Sequence, residues 1–335
     1  MPKPRKPQGK VAQAKSKNVA DLPTAWSSDK TAVEYMERQR WGDSPGCPRC
    51  GDTDVYQMRD ASGERSKRFL WRCRGCKQQY TVRVGTIMED SAIPLQHWCF
   101  AFAAACASKK GVSAKQIQRM TGVSYKSALF MMHRIRWAMG GGNGGGKLDG
   151  IVEVDETYVG GVPRKKTRRA KTWHGTYKFR PGRAPDFQDR KTPVVAMVQR
   201  EGTVRAMVMP RVTAKTLADA IHENIDPSAR LMTDESASYQ RAGRKMASHE
   251  TVAHGRGEYA RGDVCTNTVE GFFAILKRGV YGTFHSVSKK HLHRYVSEFE
   301  FRYNTRWFED GHRLTLAIQA GDGKRLTYKQ QVAHT

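Results

Sequence analysis

The apolar positions along this chain change period near its middle. From 91 to 139 they recur at helical spacing, as they do in a shorter stretch around 29–40. "SAKQIQRMTGVSYKSALFMMHRIRWAM" (113–139) predicts a helix, a turn at Gly122 and Val123, and a second helix. Ser113 is placed to cap the first helix, whose apolar positions are Ile117 and Met120. The second is expected to bury Leu129, Met132 and Ile135 and to turn Lys126, His133 and Arg134 outward. From 148 the alternation becomes strand-like in "GIVEVDETYVGG", "PVVAMVQREG" and "TVRAMVMPRV". A helix, "TAKTLADAIHENI" (213–225), and a short strand, "ARLMTD" (229–234), follow. "TNTVEGFFAILKRG" (266–279) predicts a helix with apolar Phe272, Phe273, Ile275 and Leu276, and with Asn267, Glu270 and Lys277 along another face. Residues 289–303 predict one more, with Leu292, Tyr295, Val296, Phe299 and Tyr303 on one side. Between the two regimes "GGGNGGG" (140–146) is a flexible linker or hinge.

Charge adds a partner to this picture. The 335 residues, enough for two or three domains, carry 58 Lys and Arg against 32 Asp and Glu, a net charge of +26. Residues 1–20 read as a disordered basic arm, and a second basic run spans 162–193, with Trp173, Tyr177 and Phe179 interleaved. Excess on both the arm and the body points to a polyanion, above all nucleic acid. A membrane partner is disfavoured: the longest apolar run, "WCFAFAAACA" (98–107), is too short to span a bilayer and suits a buried helix. The basic N-terminus lacks an apolar signal core, so a cytoplasmic protein is expected. With that charge, the helix-turn-helix pattern is expected to set its second helix in a DNA groove.

A reducing compartment changes how the seven cysteines read. "CPRC" and "CRGC" place Cys47, Cys50, Cys73 and Cys76 as two C-x2-C knuckles. Four thiolates suit one tetrahedral zinc ion, and strand-like "FLW" (69–71) and "YTVRV" (80–84) complete a zinc ribbon. A redox role for the pairs would need a βαβ context that is missing. Cys99, Cys106 and Cys265 have no partner pattern and are expected as small buried hydrophobes.

Acids in so basic a chain need a reason. In "IVEVDETYVGG", Val152 and Val154 point one way and Glu153, Asp155 and Thr157 the other. Carboxylates on a buried-looking strand are costly unless a cation receives them. Asp234 ends "ARLMTD", and 35 residues separate it from Glu270. Two strand-borne aspartates and a helix-borne glutamate can converge on a pair of Mg²⁺ ions (or Mn²⁺), whose open positions substrate phosphates complete. Glu153, Glu156 and Glu235, which flank the aspartates, are expected to be solvated or supporting acids.

With this spacing the chain resembles the DDE transposases. "VEVDETYVGG", "TDES" and "NTVEGFFAILKRGVYGTFHSVSKKHLHRYVSEFEFRYN" are similar to bacterial insertion-sequence transposases of the ISXO2-like group, which also carry an N-terminal zinc ribbon; the resemblance covers roughly 30–310. It implies a multidomain α+β chain: a basic arm (1–20), a zinc-ribbon region (21–84), a helix-turn-helix-like helical domain (85–139), the Gly-rich linker (140–147), an RNase H-like α/β catalytic core (148–310) with the basic insertion, and a C-terminal tail (311–335). The implied triad is Asp155, Asp234 and Glu270, accompanied by Lys277. Because some relatives rely on an Asn near the third position, Asn267 is a rival or helper to Glu270. The implied activity is metal-dependent cleavage of double-stranded DNA at element ends and strand transfer to a target, by a homodimer or higher synaptic assembly. A zinc-dependent transcription regulator and an RNase H-like nuclease are the competing expectations.

Overall fold

The computed structural model describes residues 22–141, 146–160 and 191–332, with the paired strands Ala170–Lys171 and Tyr177–Lys178 between them. The basic arm, most of the glycine linker and most of the basic insertion lie outside the described residues. In chain order the principal elements begin with α1 (Asp29–Trp41), β1 (Val55–Gln57), β2 (Trp71–Cys73), β3 (Gln79–Tyr80), α2 (Leu95–Ala107), α3 (Ala114–Thr121) and α4 (Tyr125–Met139). They continue with β4 (Ile151–Val159), β5 (Thr192–Gln199), β6 (Val204–Val208), α5 (Ala214–Asn224), β7 (Arg230–Asp234) and β8 (Ser248–Val252). The last are α6 (Asn267–Gly279), α7 (Leu292–Asn304) and α8 (Asp310–Gln319). Contacts divide the chain into two units, one of Met1–Gly146 with Arg278–His285 and Ser297–Thr335, the other of Lys147–Lys277 with Ser286–Val296. The division therefore falls at neither 84 nor 310.

In the first unit β1, β2 and β3 form an antiparallel ribbon with β2 central. Both expected strands are shorter than the sequence suggests. Phe69 has φ +52°, which keeps "FLW" from being extended until Trp71. After Tyr80, Val82 and Val84 give their carbonyls to Arg40 Nη1 (2.8 and 3.0 Å) and not to a neighbouring strand. The ribbon is joined to α1 by Glu37, which accepts the Trp71 indole N–H at 2.7 Å and pairs with Arg65, and by Trp41, edge-on to Trp71 and Tyr80.

One apolar core unites α1, α2, α4 and α8 through Met36, Trp98, Phe102, Met132, Ile135 and Ile318. Residues 311–335, expected as a tail, thus contribute α8: Leu314, Ala317 and Ile318, at i, i+3 and i+4, are buried. Ser113 and Ser124 cap α3 and α4, and Gly122 takes the left-handed φ of +73° that ends α3. Several expected faces are reversed. Met120 is exposed, His133 is buried, and Arg134 is half-buried, donating to the carbonyls of Ile87 and Glu89. The reason is that α4 is enclosed around most of its circumference, so its exposed surface near the N-terminus is the first turn, with Tyr125 and Lys126. Beside that core Glu298 is fully buried between Arg136 (2.6 Å) and Arg302 (2.5 Å).

The second unit is a five-stranded sheet in the order β8-β7-β4-β5-β6. β4, β5 and β6 meander antiparallel, while β7 runs parallel to β4 and β8 parallel to β7. Thr213 caps α5, which buries Leu217 and Ile221 with Val152, Val154, Val195, Met197 and Leu231 on one face. The alternation expected for β4 holds, so Glu153, Asp155 and Thr157 belong to the opposite face. Strand β8, absent from the sequence expectation, is an edge strand with only Val252 buried. In α6 the buried stripe is Val269, Phe272, Phe273 and Leu276; Ile275 falls off it and is exposed. No described helix is long and apolar enough to cross a membrane.

Candidate active site and metal centre

The acids of the sheet gather where two parallel strands part. The β4–β7 ladder runs from Ile151↔Arg230 to Glu153↔Met232. Asp155 and Asp234 each lie two residues further on, at matching level on neighbouring strands. In open α/β sheets, this carboxyl end of parallel strands is where ligands bind. Burial first, and then the charges of Glu156, Asp234 and Glu270, push the Asp155 carboxyl up to about 7, against the pull of the Glu156 N–H. Asp155 therefore lies within electrostatic reach of both other acids expected from the sequence. Among the described residues neither Asp155 nor Asp234 has an ion-pair partner; Asp234 instead accepts the Ser236 N–H at 3.0 Å.

Glu270 arrives from α6, and Glu153 seats that helix. Glu153 is fully buried, yet each oxygen is occupied. Oε2 accepts the free N–H groups of Thr268 and Val269 in the first turn (2.7 and 3.1 Å), and Oε1 accepts Thr268 Oγ1 (2.8 Å) and Arg200 Nε (2.6 Å). A carboxylate at a helix N-terminus satisfies orphan donors and meets the positive end of the helix dipole. Arg200 in turn donates to the carbonyls of Asp263 and Cys265 just ahead of α6. Glu153 is thus an internal anchor, not the solvated acid that was one of its expected roles. Cys265 is only half-buried, against Arg200. Cys99 and Cys106 are buried as expected, and burial pushes both thiols up to about 12.

On the other face, Glu156 hydrogen-bonds the buried Tyr239 hydroxyl, and burial raises its carboxyl. Glu235 accepts the N–H groups of Gly255 (2.7 Å) and His254 (2.8 Å), which hold it below the usual carboxylate range. Asn267 and Lys277 are exposed, one turn before and two turns after Glu270. His254, which no sequence pattern singled out, lies 3.5 Å from Glu270.

The cysteine cluster is of the opposite kind, already assembled. The four Sγ atoms lie within 4.8 Å of one another, with Cys47–Cys76 and Cys50–Cys73 both 3.6 Å apart. Sulfurs at about 2.3 Å from a tetrahedral zinc stand about 3.8 Å from each other, so the four fit a single ion. The Cys76 N–H points to Cys73 Sγ (3.4 Å), as expected of a metal knuckle. Burial acts to raise the Cys47 thiol, but the N–H groups of Arg49 and Cys50 bring it down to about 7, towards the thiolate a metal requires.

Comparison with known proteins finds a family match for each of the two regions. Residues 147–304 match the family model of the ISXO2-like transposase domain, and residues 27–79 match the transposase zinc-ribbon domain. An uncharacterized protein in transposable element ISH50 of Halobacterium salinarum is 28% identical over 278 residues, covering 82% of this chain and 90% of that protein. An uncharacterized transposase-like protein of Haemophilus influenzae is 29% identical over 101 residues, covering 30% of this chain and 80% of its own. Among solved structures, a chain of the simian T-cell lymphotropic virus intasome in complex with PP2A regulatory subunit B56 gamma matches at 16% identity and TM-score 0.27, covering 55% of this chain and 67% of that one. The Mos1 strand transfer complex matches at 15% identity and TM-score 0.22, covering 65% and 75%. No common fold follows from scores that low. The two domain matches together place the chain in the family of ISXO2-like insertion-sequence transposases, with a DDE domain and a zinc ribbon.

Proposed function

We propose that this transposase binds the terminal inverted repeats of its element, cleaves DNA there and joins the freed end to a target, with Asp155, Asp234 and Glu270 as the ligands of its catalytic cations. One observation carries this: the half-buried Asp155, at matching level with Asp234 on the neighbouring strand, is raised to about 7 by burial and by nearby carboxylates, with no Lys or Arg paired to it among the described residues. A fold that neutralises Glu153 and Glu298 so completely leaves this cluster for a cation supplied from outside. Hard carboxylate oxygens suit Mg²⁺ or Mn²⁺. When bound, a pair of such ions would activate the attacking oxygen and stabilise the leaving one.

The residues around the cluster do the positioning. Strand order β8-β7-β4-β5-β6 with β4–β6 antiparallel supports an RNase H-like core. Lys277, exposed and roughly 10 Å along α6 from Glu270, is placed to grip a DNA phosphate. The first turn of α4, with Tyr125 and Lys126, and the exposed Lys115 and Arg119 of α3 are the surface offered to a DNA groove. Two displacements at phosphorus follow in order. Water attacks the phosphodiester at the element end, and the bond to the 3′ oxygen breaks, leaving a 3′-OH. That 3′-OH attacks a target phosphodiester and displaces a target 3′ oxygen. Since two ends must be joined, at least two copies of the chain are required. The ribbon cysteines hold one structural Zn²⁺, which metal analysis should find at one per chain in the intact protein and absent from Cys73→Ser.

The experiment is incubation with duplexes carrying the repeats that flank the gene, in Mg²⁺, scoring both cutting and joining to a second duplex. Metal-dependent joining supports the proposal. Cutting without joining would identify a nuclease, and end binding with neither would identify a regulator.

A further inference from the structure

The third carboxylate has a holder of its own. Thr266 is buried, and its hydroxyl donates to Glu270 Oε1 at 3.0 Å. That hydroxyl has one proton, so its contact with His254 Nε2 at 3.1 Å must be one in which Thr266 accepts and the imidazole donates. The arrangement assigns the His254 proton to Nε2. Nε2 itself lies 3.5 Å from Glu270 Oε1, too far for a strong direct bond, so the histidine acts through the threonine. His254 is in turn fixed at its backbone. Glu235 takes the N–H of His254 with one oxygen and that of Gly255 with the other, at 2.8 and 2.7 Å. The Tyr259 ring lies 5.6 Å from the imidazole. Glu235 is the residue after Asp234. An unbroken chain of bonds therefore runs from the end of β7 through the turn at His254 to Thr266 and Glu270.

We propose that His254 and Thr266 are positioning residues that orient Glu270 for a divalent cation and couple its placement to that of Asp234. The inference rests on the reading of the acid cluster above. Glu270 has a half-exposed side chain on the first turn of a helix and would otherwise sample several rotamers. With Oε1 held by Thr266, Oε2 is left without a hydrogen bond among the described residues and is the oxygen free to serve a cation. Partners that orient ligating carboxylates in this way are worth roughly 10–100-fold in metal affinity or activity.

The test is Mn²⁺ binding to the full-length, zinc-loaded protein, followed by electron paramagnetic resonance without DNA. Asp155→Asn serves as the reference for the acid site. His254→Phe, which keeps a ring but no donor, and Thr266→Val, which keeps shape but no hydroxyl, should each weaken Mn²⁺ binding about 10–100-fold. His254→Gln, whose amide restores an N–H, and Thr266→Ser should stay within a few-fold of wild type. The double variant should be no weaker than Thr266→Val, because the two residues act in series. If His254→Phe fails to fold, the Thr266→Ser and Thr266→Val pair decides. Wild-type binding in Thr266→Val, or losses that multiply in the double variant, would overturn the proposal. If Asp155→Asn binds Mn²⁺ like wild type, it is the reading of the acid cluster that fails instead.

Discussion

Glu153 and Asp155 are two residues apart on the same face of β4, and the fold treats the two carboxylates in opposite ways. Within the parallel ladder Glu153 is fully buried and satisfied by Arg200, Thr268 and Val269. Past the last paired residues of β4 and β7, Asp155 has other carboxylates for neighbours and a carboxyl raised to about 7. Burial is the same unfavourable term for both. What differs is whether the chain supplies the compensating charge itself. Where it does, the acid holds the fold together. Where it does not, the acid keeps a raised carboxyl, and on the proposal above an incoming cation would supply the missing charge.

The comparison is broken most forcefully at Glu153. Glu153→Gln keeps the volume but leaves Arg200 without its counter-charge and turns one acceptor into a donor facing the N-terminus of α6. Losing one partner of a buried pair costs about 3–5 kcal/mol, and denaturant unfolding should show a drop of that size. A loss under about 1 kcal/mol would mean that Glu153 is no anchor.

Asp155 should behave in the opposite sense. Its carboxyl is raised in the folded chain, so the folded state holds a proton that the unfolded state has released between about pH 4 and 7. Wild-type stability without Mg²⁺ should therefore be greatest below about pH 4 on this account and decline as pH rises to about 7. Asp155→Asn removes that penalty. It should be the more stable protein above pH 7 by on the order of 1–2 kcal/mol once solvent screening is allowed for, with the gain vanishing near pH 4. Thermal unfolding across pH, with zinc loaded and Mg²⁺ omitted, checks both the sign and the window. An asparagine variant less stable at pH 8 would contradict the picture of an uncompensated carboxyl.

Strictly periodic segments were legible in the sequence: β4, β5, β6, α5 and α6 stand where alternation or helical spacing put them. So was the strand face of Glu153 and Asp155, because register on β4 is set by period two, and so were the paired cysteines, because spacing alone restricts their chemistry. The remainder depends on tertiary context. Strand β8 buries little but Val252 and so has no hydrophobic pattern to read. The faces of α4 were misjudged because it is enclosed on most sides, and a stripe of three apolar positions underestimates that. His254 sits in a short turn, His254–Arg256, with no period at all; its place beside Glu270 comes from Glu235, 19 residues away in sequence. Glu153 could be placed on the correct face from the sequence, but its role required knowing which helix end would be docked there.

The central claim is that Asp155, Asp234 and Glu270 serve the chemistry and not the recognition of DNA. It is tested most directly by measuring end cleavage and gel-shift binding on the same preparations of Asp155→Asn, Asp234→Asn, Glu270→Gln and Asn267→Ala. The three acid variants should lose about a thousandfold or more in cleavage rate, the equivalent of about 4 kcal/mol in the barrier. End binding should be unchanged or slightly tighter, since a negative charge facing phosphate has gone. Asn267→Ala should be milder than Glu270→Gln. Normal cutting by Glu270→Gln alongside a dead Asn267→Ala would move the third position to the asparagine, and normal cutting by all three acid variants would contradict the account.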